Sequence, residues 1–541
     1  MIQGVRRSFF LLLWIVSCFF VYSHTFQPAV SRVDATKGQL KVIVRDRDSG
    51  QPVVARCYLT DVTGESWFPE GAIKYDKKFS SRFPRERHFI VDKGFQIDLP
   101  IGQYTLAVER GMEHAPTTRN IKVRSTEKGE VKIQLGRWIN MNKRGWYSGD
   151  LHNHRDLREM PLLLLAEDLN LAPTITEWFC QDKIRSAPPA VKSQAVRGVD
   201  ATHVYSIYDA EVERPIPGPG SINFIALKSP INFRGYMLSP PTSLLAEQAH
   251  SQGGYADAEK ILYRDTPALI ALGGVDFAGV AHNLFNRHGV IVETEPHGMI
   301  PLGKPEYGTP EGIALLTMDI YYSFLNSGFR LPVSAGSASG VLPSPLGFSR
   351  VYVHLPGTFG YDSWFRGLKA GRNFATNGPM LFFTVDGHYP GDVIQLPKIS
   401  ASQSLKVHAE VRSIEELDRL EIVWKRQVIK SVRATAAVTE LMADIELDAN
   451  ETGWIIARAF GKTGKTVNFA HSSPVYVQKG QDRGIVAKDV EFLIAWIDRE
   501  VKFYENLMSF RSEPDREEIL TMFRKARAVY KGLVATQDSA R

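Results

Sequence analysis

Apolar and polar residues alternate along the N-terminal part of the chain, from Gln39 to Leu135. Turn-forming stretches such as Asp46–Gly50 and Pro100–Gly102 separate the alternating runs. Period-two alternation between turns is typical of short antiparallel strands with one buried face. The pattern therefore predicts a small β-sandwich over residues 38–140, with buried runs at Leu40/Val42/Val44, Phe95/Ile97/Leu99, Tyr104/Leu106/Val108 and Val131/Ile133/Leu135.

Between Gly145 and Leu381 the pattern changes to short apolar runs that alternate with stretches of helical spacing. This order is typical of βα units around a parallel sheet or barrel. Polar residues cluster just after the short runs, and the carboxyl ends of barrel strands carry the active site in such folds. The pattern predicts a (β/α) barrel over residues 145–390, with helices at Pro161–Leu169, Ser243–Gln252 and Ile313–Phe324.

Alternation returns between residues 400 and 480 and predicts a second β-sandwich. The tail, residues 484–536, has helical spacing in two stretches, and Ser512 between them is suited to cap the second helix. We predict a helical hairpin whose aromatic stripe packs against the body of the protein. The whole chain is thus expected to be multidomain, with an α/β barrel flanked by all-β sandwiches and followed by two helices.

The composition narrows the class of protein. Hydrophobic residues make up 44% of the chain and charged residues 23%, which is ordinary for a globular protein. The net charge is only +6, and no cluster of Lys and Arg stands beside interleaved aromatic residues, so nucleic-acid binding is not expected. A small molecule or a glycan is the expected partner, and the composition indicates no oligomeric state. Cys57 and Cys180 lie far apart and are predicted to be unpaired buried thiols.

The first 23 residues have the order of an export signal. Arg6 and Arg7 precede an apolar run from Phe9 to Tyr22, and small or polar residues follow it. The run is shorter than the roughly 20 residues of a membrane span, and no other run is long enough. We therefore predict a secreted or periplasmic protein with no membrane span beyond the signal. Lipidation at Cys18, a twin-arginine signal and an uncleaved anchor stay open as alternatives.

The strongest chemical signal is the segment Gly149–His154, which contains a His-x-His pair at the start of the predicted barrel. Residues two apart at the end of a strand point the same way, so His152 and His154 can aim two imidazoles at one ion. Neutral imidazole suits Zn, Mn or Fe. Asp150 is placed to orient a histidine from behind. A His-x-His pair is often only a surface turn, and that is the alternative interpretation.

The residues Gly145–His154 resemble the opening segment of the CehA/McbA family of metallohydrolases, which belongs to the polymerase-and-histidinol-phosphatase (PHP) superfamily. Gly371–Pro379 resembles the closing segment of that family. A sandwich before the His-x-His motif is also similar, and Leu99–Tyr104 resembles a turn of carboxypeptidase-regulatory-like modules. The resemblance implies a distorted (β/α)7 barrel, a cluster of up to three metal ions, and hydrolysis of phosphate or other ester-like bonds.

Between these two ends the sequence departs from the family's pattern. The usual third-strand glutamate has two candidates, Glu211 and Glu213, and both stay open. His282 follows another apolar run and is either a compensating ligand or a core residue. Two histidines with two or three carboxylates can hold one ion and an open position for water, rather than three ions. Three family motifs are replaced: Thr-Asp-His by Thr176-Glu177-Trp178, Ala-His-Pro by Ala258-Glu259-Lys260, and Gly-Ser-Asp-x-His by Gly336-Ser337-Ala338-Ser339-Gly340.

Two hypotheses follow for the function. In the first, the protein is a metal-dependent hydrolase in which the histidine pair and one or two glutamates hold one divalent ion. The ion activates a water for attack on a phosphoryl or acyl centre, a carboxylate not bound to metal acts as general base, and Arg155 stabilises the developing anion. In the second, the barrel is catalytically inactive and binds a carbohydrate or envelope partner. The glutamates considered are Glu177, Glu211 and Glu213.

Overall fold

The computed structural model describes residues 36–124, 128–191, 194–397, 402–462, 464 and 466–538. Over these ranges the protein is a mixed α/β protein with several β-sheets and a C-terminal pair of helices. None of the helices in those ranges combines the length and the apolar character that crossing a membrane requires. The predicted signal peptide, residues 1–23, and Cys18 lie outside the described residues.

The N-terminal part consists of two sheets around one shared hydrophobic core. Strands β1, β5 and β8 form the smaller sheet, and the larger has the order β3-β4-β2-β6-β7. Leu40, Val42 and Val44 are all buried, as the alternation predicted, and Cys57 is a buried free thiol. The strands are β1 (Lys37–Asp46), β2 (Ala55–Asp61), β3 (Ile73–Lys77), β4 (Glu86–Val91), β5 (Gly94–Pro100), β6 (Gly102–Glu109), β7 (Thr117–Val123) and β8 (Lys128–Leu135).

The described residues of the central part form thirteen strands and five α-helices. The elements are β9 (Trp146–Gly149), α1 (Met160–Ala166), β10 (Leu171–Cys180), β11 (Lys183–Ser186), β12 (Val196–Gly198), β13 (Val204–Arg214), β14 (Gly220–Ile225), α2 (Thr242–Ser251), β15 (Tyr255–Ala258), α3 (Thr266–Ala271), β16 (Phe277–Ala281), β17 (Phe285–Asn286), β18 (Gly289–Val290), α4 (Pro310–Asn326), β19 (Val333–Ala335), β20 (Arg350–His354), α5 (Tyr361–Lys369) and β21 (Asn373–Thr376). The three predicted helices correspond to α1, α2 and α4.

The central strands belong to a closed barrel of mixed strand direction. Strand β10 is parallel to β9 and β13, and β16 is parallel to β15 and β19. However, β13–β14, β14–β15, β20–β21 and β20–β9 are antiparallel pairs. The turn between Arg214 and Gly220 returns the chain directly beside β13, with no intervening helix. The pairing therefore does not show a (β/α)7 barrel, in which successive parallel strands are joined by helices.

The C-terminal strands continue the same hydrogen-bonded network. Strand β29 pairs with both β21 and β28, so strands from before and after residue 400 belong to one hydrogen-bonded network. Strands β22, β24 and β27 form a separate sheet. These strands are β22 (Met380–Val385), β23 (Val393–Leu396), β24 (Gln403–Arg412), β25 (Leu417–Trp424), β26 (Gln427–Arg433), β27 (Glu440–Ala449), β28 (Gly453–Gly461), β29 (Phe469–Ser472) and β30 (Val475–Lys479).

The predicted helical hairpin is present as α6 (Ala487–Asn506) and α7 (Glu513–Asp538). The Ser512 hydroxyl accepts a hydrogen bond from the Asp515 backbone N–H at 3.3 Å, as expected of a cap. The hairpin packs on the barrel: the Tyr530 hydroxyl donates to the Pro267 carbonyl, and Arg264 pairs with buried Glu500 at 2.6 Å. Of the tail's aromatic residues, Trp496, Tyr504, Phe523 and Tyr530 are core, as predicted, whereas Phe492 is 41% exposed.

Candidate metal centre

The His-x-His segment leaves the end of β9 and is fixed by one buried carboxylate. Asp150 accepts backbone hydrogen bonds from His152 (3.1 Å), Ser337 (3.0 Å) and Gly347 (2.7 Å). Its burial raises the pKa of the Asp150 carboxyl. A Cβ at Gly336 would lie 2.4 Å from the Cβ of His152, so only glycine allows the two segments to pack this closely. Asp150 thus holds the backbone of the site and does not orient a histidine ring, which corrects the role expected for it.

Three side chains converge beyond this segment. Nε2 of His152 lies 3.1 Å from Nε2 of His154, and the two nitrogens lie 3.5 and 3.0 Å from Oε2 of Glu211. All three residues are buried or nearly so. Glu211 stands on β13, so two elements far apart in sequence supply one cluster, and this geometry selects Glu211 over Glu213 as the carboxylate closest to the histidine pair.

The spacing of these three atoms fits a tetrahedral metal ion. Ligands at about 2.0–2.1 Å from zinc in tetrahedral geometry are separated by about 3.3 Å, and the observed edges run from 3.0 to 3.5 Å. Two imidazoles and one carboxylate are a known ligand set for catalytic zinc, which keeps a fourth position for water or substrate. Among the described residues, this is the group of His, Cys, Asp and Glu side chains whose ligand atoms come close enough to share an ion.

A second carboxylate lies beside the His152 ring. Nδ1 of His152 lies 3.2 Å from Oε2 of Glu259, within ion-pair distance but without the alignment of a hydrogen bond, and Nε2 on the other side of the ring faces Glu211. Glu259 also accepts hydrogen bonds from the Lys260 ammonium and from the Tyr263 hydroxyl (3.0 Å). Carboxylates in this position fix the tautomer and direction of metal-binding histidines. Glu259, rather than Asp150, is therefore the carboxylate that lies beside Nδ1 of His152.

The electrostatics of the cluster favour a positive charge. Burial opposes protonation of His152, but the carboxylates of Glu211 and Glu259 outweigh it and raise the pKa of His152 to about 10. Burial also opposes ionisation of Glu259, yet the neighbouring Lys260 and His152 lower its pKa to about 2. The pKa of Glu211 is lowered for the same reason, by the two imidazoles. A buried site that stabilises positive charge this strongly also suits a divalent cation.

Glu177 lies outside the cluster, unlike the expectation from the sequence. Its carboxylate accepts hydrogen bonds from the backbone N–H groups of Asn232 (3.2 Å) and Phe233 (2.8 Å), on another side of the barrel wall. Its neighbour Trp178 packs against His154 instead, with ring centroids 4.6 Å apart. Adjacent residues of a strand point to opposite faces, so only one of the two can reach the histidine pair.

Two further expected site residues have structural contacts of their own. Arg155 pairs with Glu159 at 2.8 Å and lies over the ring of Tyr75, and it does not line the cavity beside the cluster. His282 is completely buried, and its Nε2 lies 3.0 Å from the Thr317 hydroxyl. Burial lowers the pKa of His282 to about 3. These contacts give His282 the core role that the sequence left open as its alternative.

The cluster opens into a small cavity of about 100 Å³. Glu213, Lys260, Asn283 and His297 add polar groups to its wall, and Phe79 from the N-terminal part reaches the same cavity. Burial and the charge of Glu211 raise the pKa of Glu213, whose carboxyl is hydrogen-bonded with the Cys180 thiol. Lys260 and Glu259 were not expected as site residues from the sequence. Both directly follow β15, and the ends of barrel strands are where site residues commonly lie.

Comparison with known proteins gives little similarity. No family model matches the chain, and no curated protein matches it. Among solved structures, the Bacillus anthracis TIE protein matches with 11% identity and a TM-score of 0.14 over 23% of this chain and 20% of that chain. A streptococcal ancillary pilin matches with 14% identity and a TM-score of 0.15 over 23% of this chain and 38% of that one. Both matches therefore span well under half of those proteins and assign neither a fold nor a function.

The position of Glu259 leads to a prediction for metal affinity. Glu259→Gln is expected to weaken divalent-ion binding by about 10- to 100-fold, because the His152 ring loses the carboxylate that orients it. Isothermal titration of metal-free protein with Zn²⁺ measures this. The matched control is Glu247→Gln, which removes an exposed carboxylate on α2. Equal affinity in the wild type and both variants, with circular dichroism showing intact folds, would rule out the orienting role.

Proposed function

We propose that the protein is an exported, metal-dependent hydrolase of the PHP type with a reduced metal site, acting on phosphoester or other ester-like bonds. The convergence of His152, His154 and Glu211 at the spacing of a tetrahedral ligand set is the observation that carries the proposal. The resemblance of Gly145–His154 and Gly371–Pro379 to the CehA/McbA family supports the choice of reaction. The finer fold, a distorted (β/α)7 barrel, belongs to the same proposal.

The chain's own residues have distinct roles in this proposal. His152, His154 and Glu211 hold one divalent ion of Zn, Mn or Fe, and Glu259 keeps the His152 ring aimed at it. When bound, such an ion supplies a Lewis acid that polarises an ester oxygen and lowers the pKa of a coordinated water. Glu213 lines the same cavity and is the carboxyl group placed to accept or deliver a proton there.

Lys260, rather than Arg155, stabilises the developing anion in this proposal. Its ammonium group contacts Glu259 and lies on the wall of the cavity, where a fixed positive charge stabilises an anion that develops on the substrate. Trp178 packs on His154 and keeps water from that side of the ring. The small volume of the cavity restricts the reacting group to something of the size of a phosphoryl or short acyl group.

Chromogenic esters test the proposal directly. The zinc-loaded protein is expected to hydrolyse at least one of bis(4-nitrophenyl) phosphate, 4-nitrophenyl phosphate and 4-nitrophenyl acetate, and Glu211→Gln is expected to reduce the rate to that of buffer. Glu247→Gln, an exposed change, is expected to keep the wild-type rate. Hydrolysis that survives Glu211→Gln would contradict the proposed site.

A catalytically inactive barrel that binds a carbohydrate or envelope partner is the second candidate. The observation in its favour is that the cluster supplies ligand atoms for a single ion, with a cavity of only about 100 Å³ beside it. A protein that retains one ion per chain but hydrolyses none of the three esters would favour this candidate over the first.

A further inference from the structure

A groove far larger than the metal cavity lies between helices α4 and α6. It has a volume of about 990 Å³, against about 100 Å³ at the metal cluster, and the two cavities share no lining residue. Its walls are α4, the start of α6, the β25–β26 hairpin and the segment Ile300–Tyr307. We call it the hairpin groove. Cavities of this size are typical of small-molecule and oligosaccharide-sized ligands.

The floor of the hairpin groove is a polar network centred on Arg426. The Arg426 guanidinium donates to Asp489 (2.6 Å) and to the Ser323 hydroxyl (2.8 Å), and lies 3.4 Å from Asp319. Asn326 donates to the second oxygen of Asp489 at 2.9 Å. Arg426 and Asp319 each keep about a third of their side-chain surface exposed, at 33% and 36%. The floor therefore presents hydrogen-bond donors and acceptors side by side, which is what a ligand rich in hydroxyl groups requires.

Aromatic side chains line the walls above this floor. Phe492 on α6 is 41% exposed and Trp424 at the end of β25 is partly exposed, while Tyr307 on the Ile300–Tyr307 segment is a mostly buried lining residue. Contiguous apolar surface that is rimmed by polar residues is typical of ligand or partner sites. Flat aromatic faces pack well on the C–H faces of sugar rings, because both surfaces are flat and apolar while their edges stay polar.

The rim of the hairpin groove is positively charged. Lys304, Lys488 and Arg499 are exposed lining residues. The acidic groups of the groove are already engaged by neighbours: Asp319 accepts from the Tyr307 hydroxyl and faces Arg426, Asp489 accepts from Arg426, and Glu451 pairs with Lys425 at 2.8 Å. Lys304 and Lys488 take part in none of these pairs. Arg499 pairs with Glu500 at 3.2 Å, so the rim charge left over comes from the two lysines; it is positive and attracts an anionic ligand.

The turn of the β25–β26 hairpin, which carries the cationic residues Lys425 and Arg426, has an unfavourable backbone conformation. Lys425 and Arg426 are the two central residues of the turn between β25 and β26, with φ angles of 44° and 76°. Two-residue turns of this kind strongly prefer Asn-Gly, because side chains larger than those disfavour positive φ. Non-glycine residues in such conformations concentrate at ligand-binding positions. The turn places Arg426 in the floor and Lys425 in the wall.

We infer that the hairpin groove binds an anionic oligosaccharide, of the class that contains uronic acid residues. The sugar rings pack on Trp424 and Phe492, the hydroxyl groups bond to the Arg426 network, and the carboxylates face Lys304, Lys488 and Arg499. None of the residues of the metal cluster takes part in this binding, so a test of the hairpin groove is independent of a test of the proposed hydrolase.

Oligogalacturonate of three residues is the probe for this site, titrated calorimetrically into the full chain. Lys488→Glu and Phe492→Ala are each expected to weaken its binding by about tenfold or more, since one reverses a rim charge and the other removes an exposed ring. The matched controls are Lys525→Glu, an exposed lysine on α7, and Met508→Ala, an apolar side chain that is 87% exposed. Both controls are expected to bind like the wild type.

Two further ligands separate the proposed occupant from others. The fully methyl-esterified trimer, which keeps the sugar and loses the charge, is expected to bind at least about tenfold more weakly than the acid. A hexamer of glutamate is expected to show no binding that Phe492→Ala alters. Absence of binding of the acid trimer, equal binding of its methyl ester, tighter binding of the acidic peptide, or binding indifferent to Lys488→Glu and Phe492→Ala would each overturn the inference.

Discussion

Replacing both His152 and His154 by alanine is expected to remove the bound divalent ion. The wild-type protein, dialysed against zinc and then against buffer, is expected to retain close to one ion per chain by mass spectrometric metal analysis. The double variant is expected to retain almost none, because a single carboxylate, Glu211, is then left as ligand, and one exchangeable oxygen does not hold a transition-metal ion against dialysis.

The control for this experiment replaces two other histidines elsewhere in the chain. His388 and His408 are the exposed choices, and each faces an aspartate, Asp392 and Asp444. Their replacement by alanine removes two imidazoles that could bind zinc adventitiously and is expected to leave the retained ion in place. An ion lost equally in both double variants would mean that surface histidines held it, and the assignment of the cluster would be wrong.

Asp150→Ala is expected to lower the free energy of unfolding by about 3 kcal/mol or more. The change leaves the backbone N–H groups of His152, Ser337 and Gly347 without an acceptor in a fully buried position. Each buried donor left unsatisfied costs about 1–3 kcal/mol. Urea unfolding followed by circular dichroism measures the loss, and the same variant is expected to bind zinc more weakly because the histidine segment is no longer fixed.

The neighbouring Asp156→Ala is the matched control for Asp150. Asp156 is a carboxylate of the same segment that is partly exposed and pairs with Arg158 at the surface. Exposed pairs contribute about 0–1 kcal/mol, so the midpoint of unfolding should move little. Comparable losses in the two variants would show that Asp150 is not the residue that fixes the His-x-His segment.

The pattern of the sequence was sufficient for the elements whose burial follows a regular period. The alternation at Leu40, Val42 and Val44 corresponds to β1, and the helical spacing of the tail corresponds to α6 and α7. The His-x-His pair was also visible, because two residues of one strand end need no long-range information to face the same way.

The face of the sheet to which each side chain of β10 points could not be predicted from the sequence. Its pairing with β13 shifts register between Pro173 and Ile175 and again between Ile175 and Glu177. Each irregularity can change which face the following residues occupy, whereas the expectation for Glu177 rested on its place in a family motif and not on strand register. Glu177 therefore points away from the cluster, while Trp178 packs on His154.

The partner of the His152 ring could not be read from the sequence because it lies on a distant strand. Glu259 follows β15 and is more than one hundred residues away from His152. Asp150 was the nearer carboxylate in sequence, but its oxygens are taken by backbone N–H groups. The hairpin groove could not be predicted from local patterns for the same reason, since residues from four separate stretches of the chain line it.

Anomalous X-ray diffraction from crystals soaked in zinc is the most direct test of the metal centre. One anomalous peak per chain is expected within about 2.0–2.2 Å of Nε2 of His152, Nε2 of His154 and a carboxylate oxygen of Glu211. Crystals that show no peak there at saturating zinc, or that place the ion on other residues, would contradict the assignment of this metal centre.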